Sequence, residues 1–139
     1  LRAVFADTGP LYAAVDVDDQ YHERCLRRAS LTQAELQRIN TENLIILVPF
    51  PVYLETYNLL LYRLGTKQAI SFARQCKEAV HFVNPSEEQY TAAVEKAANF
   101  PDQRITLCDA VTAILSQEMK LPVWTYDYHF DLMLIQVWR

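Results

Sequence analysis

The chain has 139 residues, 51% of them hydrophobic and 22% charged, with 2 glycines and 6 prolines. That balance suits one globular domain with a buried core, and it argues against disorder, a collagen-like repeat or a glycine-rich nucleotide loop. A formal net charge of −4 disfavours a surface that coats nucleic acid, although an acidic enzyme can act on nucleic acid if its carboxylates gather in one metal-binding pocket.

No apolar run approaches the ~20 residues that a membrane helix needs. No basic-then-apolar signal sequence is visible either, so the cytoplasm is the expected compartment. Cys25, Cys76 and Cys108 are odd in number and far apart. They form neither a CxxC metal knuckle nor a disulfide framework, and read as free thiols of a reducing compartment.

In chain order, residues 3–6 (AVFA) predict a short buried strand, followed by Asp7-Thr8 and a brief helix through about Val15. The carboxylates of Asp16–Asp19 form a turn suited to capping a helix at about 19–30, and 31–40 predicts a further helix. Read as a calcium loop from Asp16, that turn would place Tyr21 and Arg27 where glycine and glutamate are needed. Residues 44–48 (LIILV) read as a strand covered on both faces. Pro49 and Pro51 precede a helix of 51–64 that stops near Gly65.

Thr66 is a candidate cap for a helix over 67–79, and 80–83 is strand-like. Pro85-Ser86 opens a helix to about Asn99, and Thr106 caps another over 106–119. Residues 123–126 (VWTY) and 135–138 (IQVW) predict the last strands. Strands alternating with helices imply a single α/β domain over 1–139, with a central parallel sheet flanked by helices.

Four carboxylates fall at one edge of that sheet. Asp7 follows the first strand and Asp127 follows strand 123–126, and open α/β sheets bind ligands at the carboxyl ends of their strands. Glu55 lies in the second turn of the helix after strand 44–48, and Asp109 in the first turn of its helix; both helices begin at the same edge. Asp109 sits in ITLCDAVTAIL and Glu55 in VYLETYNLLL, apolar settings in which an unpaired charge is costly. Acids packed together repel and take up protons, and Mg²⁺ or Mn²⁺ relieves this with oxygen ligands. Such a cluster suits phosphodiester hydrolysis. His22, His81 and His129 lack the spacing of a zinc site, with His129 placed at the pocket rim. Asp102, Asp131, Glu87 and Glu88 lie in polar or helix-start positions where solvation or capping suffices.

With these residues in place, the chain resembles the PIN-domain family, and in particular the VapC-like toxins of bacterial and archaeal toxin–antitoxin pairs. The resemblance rests on four ordered motifs that span the chain: VFADTGPLYAAVD, PVYLETYNLL, ITLCDAVTAIL and VWTYDYHFDLM. It implies an acidic quartet of Asp7, Glu55, Asp109 and Asp127, an Mg²⁺- or Mn²⁺-dependent endoribonuclease, and a hydroxyl from Thr8 or Thr125 near the metal. Where many members carry a further acid two residues after the fourth, this chain has His129; Asp131 lies beyond that position. A toxin role in a type II pair implies RNA as substrate, with a small antitoxin and a homodimer mate as partners.

Other readings fit less well. A receiver domain would want an acidic pair at Asp7 and a lysine where Asp127 stands, and a haloacid-dehalogenase-type phosphatase would want D-x-D where the sequence is Asp7-Thr8-Gly9. No phosphate-binding glycine loop is present. A non-catalytic PIN-fold binding module, or a solitary PIN nuclease without an antitoxin, are the remaining alternatives.

Two surfaces stand out besides. Arg24, Arg27 and Arg28 fall at helical i, i+3 and i+4 and form a basic stripe suited to RNA phosphates, or a solvated helix face. Helix 51–64 is apolar or aromatic nearly all round, so a part not covered by helix 67–79 is expected to meet a homodimer mate or an antitoxin.

Overall fold

The computed structural model describes residues 2–15 and 23–139, with the stretch 23–30 described by its backbone. The elements run β1 (Ala3–Ala6), α1 (Thr8–Val15), α2 (Glu23–Thr41), β2 (Ile45–Pro49), α3 (Phe50–Leu64), α4 (Thr66–Ala79), β3 (His81–Val83), α5 (Glu87–Ala98), α6 (Leu107–Met119), β4 (Val123–Trp124) and α7 (His129–Leu132). The strands lie in the order β3-β2-β1-β4, and every pairing is parallel, with Phe5 opposite both Leu47 and Val123. The sheet is therefore an open one, as expected.

Alternation along β1 separates two cores. Val4 and Ala6 face a layer that includes Ile39, Val52, Leu60 and Phe72 from α2, α3 and α4. Phe5 faces the other layer, with Ala113 and Leu115 of α6 and Phe130 and Met133 from the C-terminal segment. After β1 the chain builds β2 and β3 on one side, then returns to add β4 on the other. The loops leaving β1 and β4 thus diverge at a switch point of the sheet, where a crevice opens.

Local chemistry sets the helix ends. Ser86 and Gln89 make a reciprocal capping box at α5, and Thr106 Oγ1 accepts the Asp109 N–H at 3.1 Å to cap α6. Between α3 and α4, Gly65 adopts φ 95° and sends its N–H to the carbonyls of Leu60 and Leu61; a positive φ there favours glycine.

Several expectations are corrected. A single helix, α2, runs through the region expected to hold two, because nothing between 30 and 31 breaks the backbone ladder. Thr66 does not cap α4; it is the first helical residue, and Gly65 holds the cap position without a side-chain bond. Strand β4 ends at Trp124, since Thr125 onward turns into the crevice, and 135–138 contributes a bridge from Val137 to Val123 rather than a full strand. Short helix α7 was not foreseen. The turn Asp16–Asp19 lies outside the described residues, as do the side chains of Arg24, Arg27 and Arg28. Helix α3 is covered more fully by its own chain than expected: Tyr53, Tyr57, Leu61 and Leu64 pack against the core shared with α4, leaving Leu54 at 53% and Tyr62 at 85% exposed.

Candidate active site

A cleft of about 420 Å³ opens at the carboxyl edge of the sheet, lined by Asp7, Thr8, Glu55, Thr106, Asp109, Tyr126, Asp127 and Tyr128 among others. All four acids expected to meet there do line it. They arrive from three directions: Asp7 and Asp127 from the ends of β1 and β4, Glu55 from α3 in one layer, and Asp109 from α6 in the other. Neither lysine nor arginine is among the described residues that line this cleft.

Thr125 organises the sheet end of the site. Its Oγ1 donates to Asp7 Oδ2 at 2.8 Å and accepts the backbone N–H of Asp127 at 2.9 Å. One hydroxyl therefore ties the two strand-end acids together. Asp127 Oδ1 in turn accepts the N–H of His129 at 2.9 Å, which starts α7. Thr8, the other hydroxyl expected near a metal, has its Oγ1 buried without a hydrogen-bond partner among the described residues.

Asp7 and Asp109 are held in an environment hostile to their charge. Asp7 is 4% exposed, and burial pushes its carboxyl up to about 6, against the hydrogen bond from Thr125 and with help from the charges of Glu55 and Asp127. Burial and then the charge of Asp7 push Asp109 up to about 8, with Asp127 adding charge and sharing a proton with it. Burial, then a hydrogen bond to Glu55, also raises the Cys108 thiol strongly, so it stays protonated against that carboxylate.

A divalent cation fits this donor set. Asp7 Oδ1 is buried and unpartnered among the described residues, and oxygen atoms of Asp109 and Asp127 lie with a nitrogen of His129 within 4.8 Å of one another. Carboxylates gathered without a lining cation are relieved by an ion that takes hard oxygen ligands.

Asp131 behaves differently. Its carboxylate turns to Arg139, with contacts of 3.2 and 3.0 Å, and it lines a second recess of about 640 Å³ together with Arg38 and Trp138. That recess is the larger one and shares Tyr126, Asp127 and Tyr128 with the cleft. The four acids converge in the smaller one.

Tyr126 escaped the sequence reading. Its hydroxyl bonds Glu35 Oε1 at 2.5 Å and Thr32 Oγ1 at 2.6 Å, both on α2. It thereby fastens α2 to the segment that carries Thr125 and Asp127. Nothing local in the sequence marks a partner some ninety residues away.

The sequence profile of the PIN domain matches residues 4–133. No curated protein matches the chain in sequence. Among solved structures, VapC20 from Mycobacterium tuberculosis, a sarcin–ricin-loop-cleaving toxin, superposes with a TM-score of 0.74 at 16% identity, covering 96% of each chain. VapBC2 from Rickettsia felis, bound to a DNA fragment from its promoter, gives a TM-score of 0.72 at 12% identity, covering 97% of this chain and 96% of that one. FitAcB from Neisseria gonorrhoeae gives 0.65 at 15% identity, covering 98% and 96%. At such identities the likeness is one of fold.

Proposed function

The chain belongs to the PIN-domain family, and from that premise we propose that it is a metal-dependent endoribonuclease, the toxin of a type II toxin–antitoxin pair. The observation that carries this reading is the meeting of Asp7, Glu55, Asp109 and Asp127 in one cleft, with a buried Asp7 oxygen left without a partner among the described residues. Mg²⁺ or Mn²⁺ held by these acids would polarise a phosphoryl oxygen and lower the pKa of a water.

The chain's own groups do the rest. Thr125 ties the Asp7 carboxylate to the backbone of Asp127, which holds the two strand-end acids in relation before the substrate arrives. Glu55, which lines the cleft beside a protonated Cys108, would take the proton of the attacking water. Asp109 must lose the proton that its surroundings favour before it can act as a ligand, so ion affinity rises with pH.

The adjoining recess, continuous with the cleft through Tyr126–Tyr128, gives a polymer room to pass the scissile phosphate. The sequence spacing of Arg24, Arg27 and Arg28 supports a further contact to RNA phosphates. Thr8 is a supporting hydroxyl. The exposed Leu54 and Tyr62 of α3 belong to the surface that a homodimer mate or an antitoxin covers, and the described neighbour VapBC2 supports a partner of that kind. No helix of the described residues is long and apolar enough to cross a membrane.

The test is cleavage of a structured RNA with and without Mn²⁺ or Mg²⁺. Asp109→Asn and Asp127→Asn should each lower cleavage by at least ~10²-fold, about 2.7 kcal/mol of barrier, while circular dichroism stays native. An Asp109→Asn protein of full activity would remove that residue from the chemistry, and metal-independent cleavage would remove the ion.

A further inference from the structure

His129 opens α7 two residues beyond Asp127, with its ring 4.5 Å from that of Tyr128. Its Nδ1 lies 3.1 Å from Asp127 Oδ1. At that distance the pair nevertheless fails the geometry of a hydrogen bond, and Nδ1 is buried with no hydrogen-bond partner among the described residues. Asp127 Oδ1 is engaged from another side by the His129 backbone N–H at 2.9 Å. The side-chain approach is therefore bent rather than absent.

Two donors bound at right angles to one ion, each about 2.1 Å from it, lie about 3.0 Å apart. The separation of Nδ1 and Oδ1 matches that spacing. Asp109 supplies an oxygen that lies with an oxygen of Asp127 and a ring nitrogen of His129 within 4.8 Å of one another. Asp7, which lines the cleft with Asp109 and Asp127, offers a further buried, unpartnered atom in Oδ1. Two of these atoms, Asp7 Oδ1 and His129 Nδ1, are buried without a hydrogen-bond partner among the described residues.

We propose that His129 is a nitrogen ligand of the divalent ion held here, through Nδ1, and that it makes the site selective for Mn²⁺ over Mg²⁺. Mg²⁺ takes oxygen ligands and keeps its waters, whereas imidazole suits first-row transition ions and gains affinity along that series. One nitrogen among carboxylates is enough to separate the two ions without altering the charge of the site. The inference rests on the reading of the acids as an ion site and goes beyond it by naming a donor and a preference. The opposing role for His129 is a plain ion pair with Asp127, in which the ring never touches the ion.

The experiment loads the metal-free full-length chain with substoichiometric Mn²⁺ and records pulsed electron paramagnetic resonance for ¹⁴N modulation. Calorimetric titrations with Mn²⁺ and with Mg²⁺ accompany it, on the wild type, His129→Gln and His129→Asp. Expected are a ¹⁴N coupling in the wild type that both variants lose, and a preference for Mn²⁺ of at least about tenfold that falls toward parity in His129→Asp, which restores an oxygen donor. Mn²⁺ bound without ¹⁴N coupling, or an unchanged Mn²⁺/Mg²⁺ ratio in both variants, overturns the role of His129 and leaves the ion site standing. No Mn²⁺ uptake by the wild type overturns both. If neither variant folds, the wild-type spectrum alone decides.

Discussion

Asp7→Asn should make the stability of the metal-free protein less dependent on pH, so that the variant gains on the wild type as pH rises. Burial holds the Asp7 carboxyl at about 6 against its ordinary 3.8. Below pH ~4 both folded and unfolded chains carry this proton; above it the unfolded chain releases its proton first. The contribution to stability is therefore fully present below the unfolded pKa and is lost as pH rises through about 6. Integrated from pH 5 to pH 8, that loss is roughly 1.4 kcal/mol for Asp7 alone, a clear fraction of the ~5–15 kcal/mol by which domains are stable.

Asparagine is neutral throughout and removes the term. Its Oδ1 can still accept from Thr125, as Asp7 Oδ2 does at 2.8 Å. Its amide N–H, placed where Asp7 Oδ1 lacks a partner, costs about 1–3 kcal/mol. That cost is independent of pH and cancels in the comparison. Asp109 widens the difference, because the charge of Asp7 is the second cause, after burial, of its rise to about 8. The assay is urea denaturation in chelator at pH 5, 6, 7 and 8. Wild-type stability should fall more steeply than that of Asp7→Asn, by at least roughly 1.4 kcal/mol over the range. Parallel curves would refute the claim that the cleft opposes the charge of Asp7.

Thr125→Ala removes the hydroxyl shared by Asp7 and Asp127; it should cost about 1–2 kcal/mol in thermal denaturation and ~10–100-fold in Mn²⁺ affinity by calorimetry, with Thr125→Ser recovering most of both. Asp131→Asn breaks the exposed pair with Arg139 and should leave RNA cleavage within about threefold of wild type, since exposed ion pairs contribute little; a hundredfold loss would bring Asp131 into the site. Tyr126→Phe loses the bonds to Glu35 and Thr32 and should lower the urea midpoint by an amount equal to about 1–2 kcal/mol; an unchanged midpoint would show that α2 is held by packing alone.

The parts of this molecule legible in sequence are those set by neighbours along the chain. The capping of α6 by Thr106, the opening of α5 by Ser86 and the acids that follow β1 and β4 belong to motifs a few residues long. The convergence of the four acids was also legible, because parallel topology sends every strand end and every following helix start to one edge. What was not legible depends on distant pairing. The bond from Tyr126 to α2 joins residues far apart in the chain that no local pattern relates. The boundaries moved where backbone turns toward the site, as in the shortening of β4 at Thr125.

The four acids cannot ease their repulsion by moving apart. Asp7 directly follows Ala6, and Asp109 directly precedes Ala110 and Val111, all three wholly buried. Glu55 lies beside Thr56, which is buried and bonded back to the Val52 carbonyl at 2.7 Å. Asp127 is tied through Thr125 to Asp7. Close-packed elements transmit strain rather than absorb it, so the repulsion is answered by protons or by a cation instead of by displacement. Protons are the weaker answer above pH ~8, where even Asp109 gives its own up. Linkage then requires that a divalent ion stabilise the fold most where the protons leave. Saturating Mn²⁺ should accordingly flatten the fall of wild-type stability between pH 5 and 8, and do little to the already flatter curve of Asp7→Asn. Equal flattening of both curves would mean that the ion binds without Asp7.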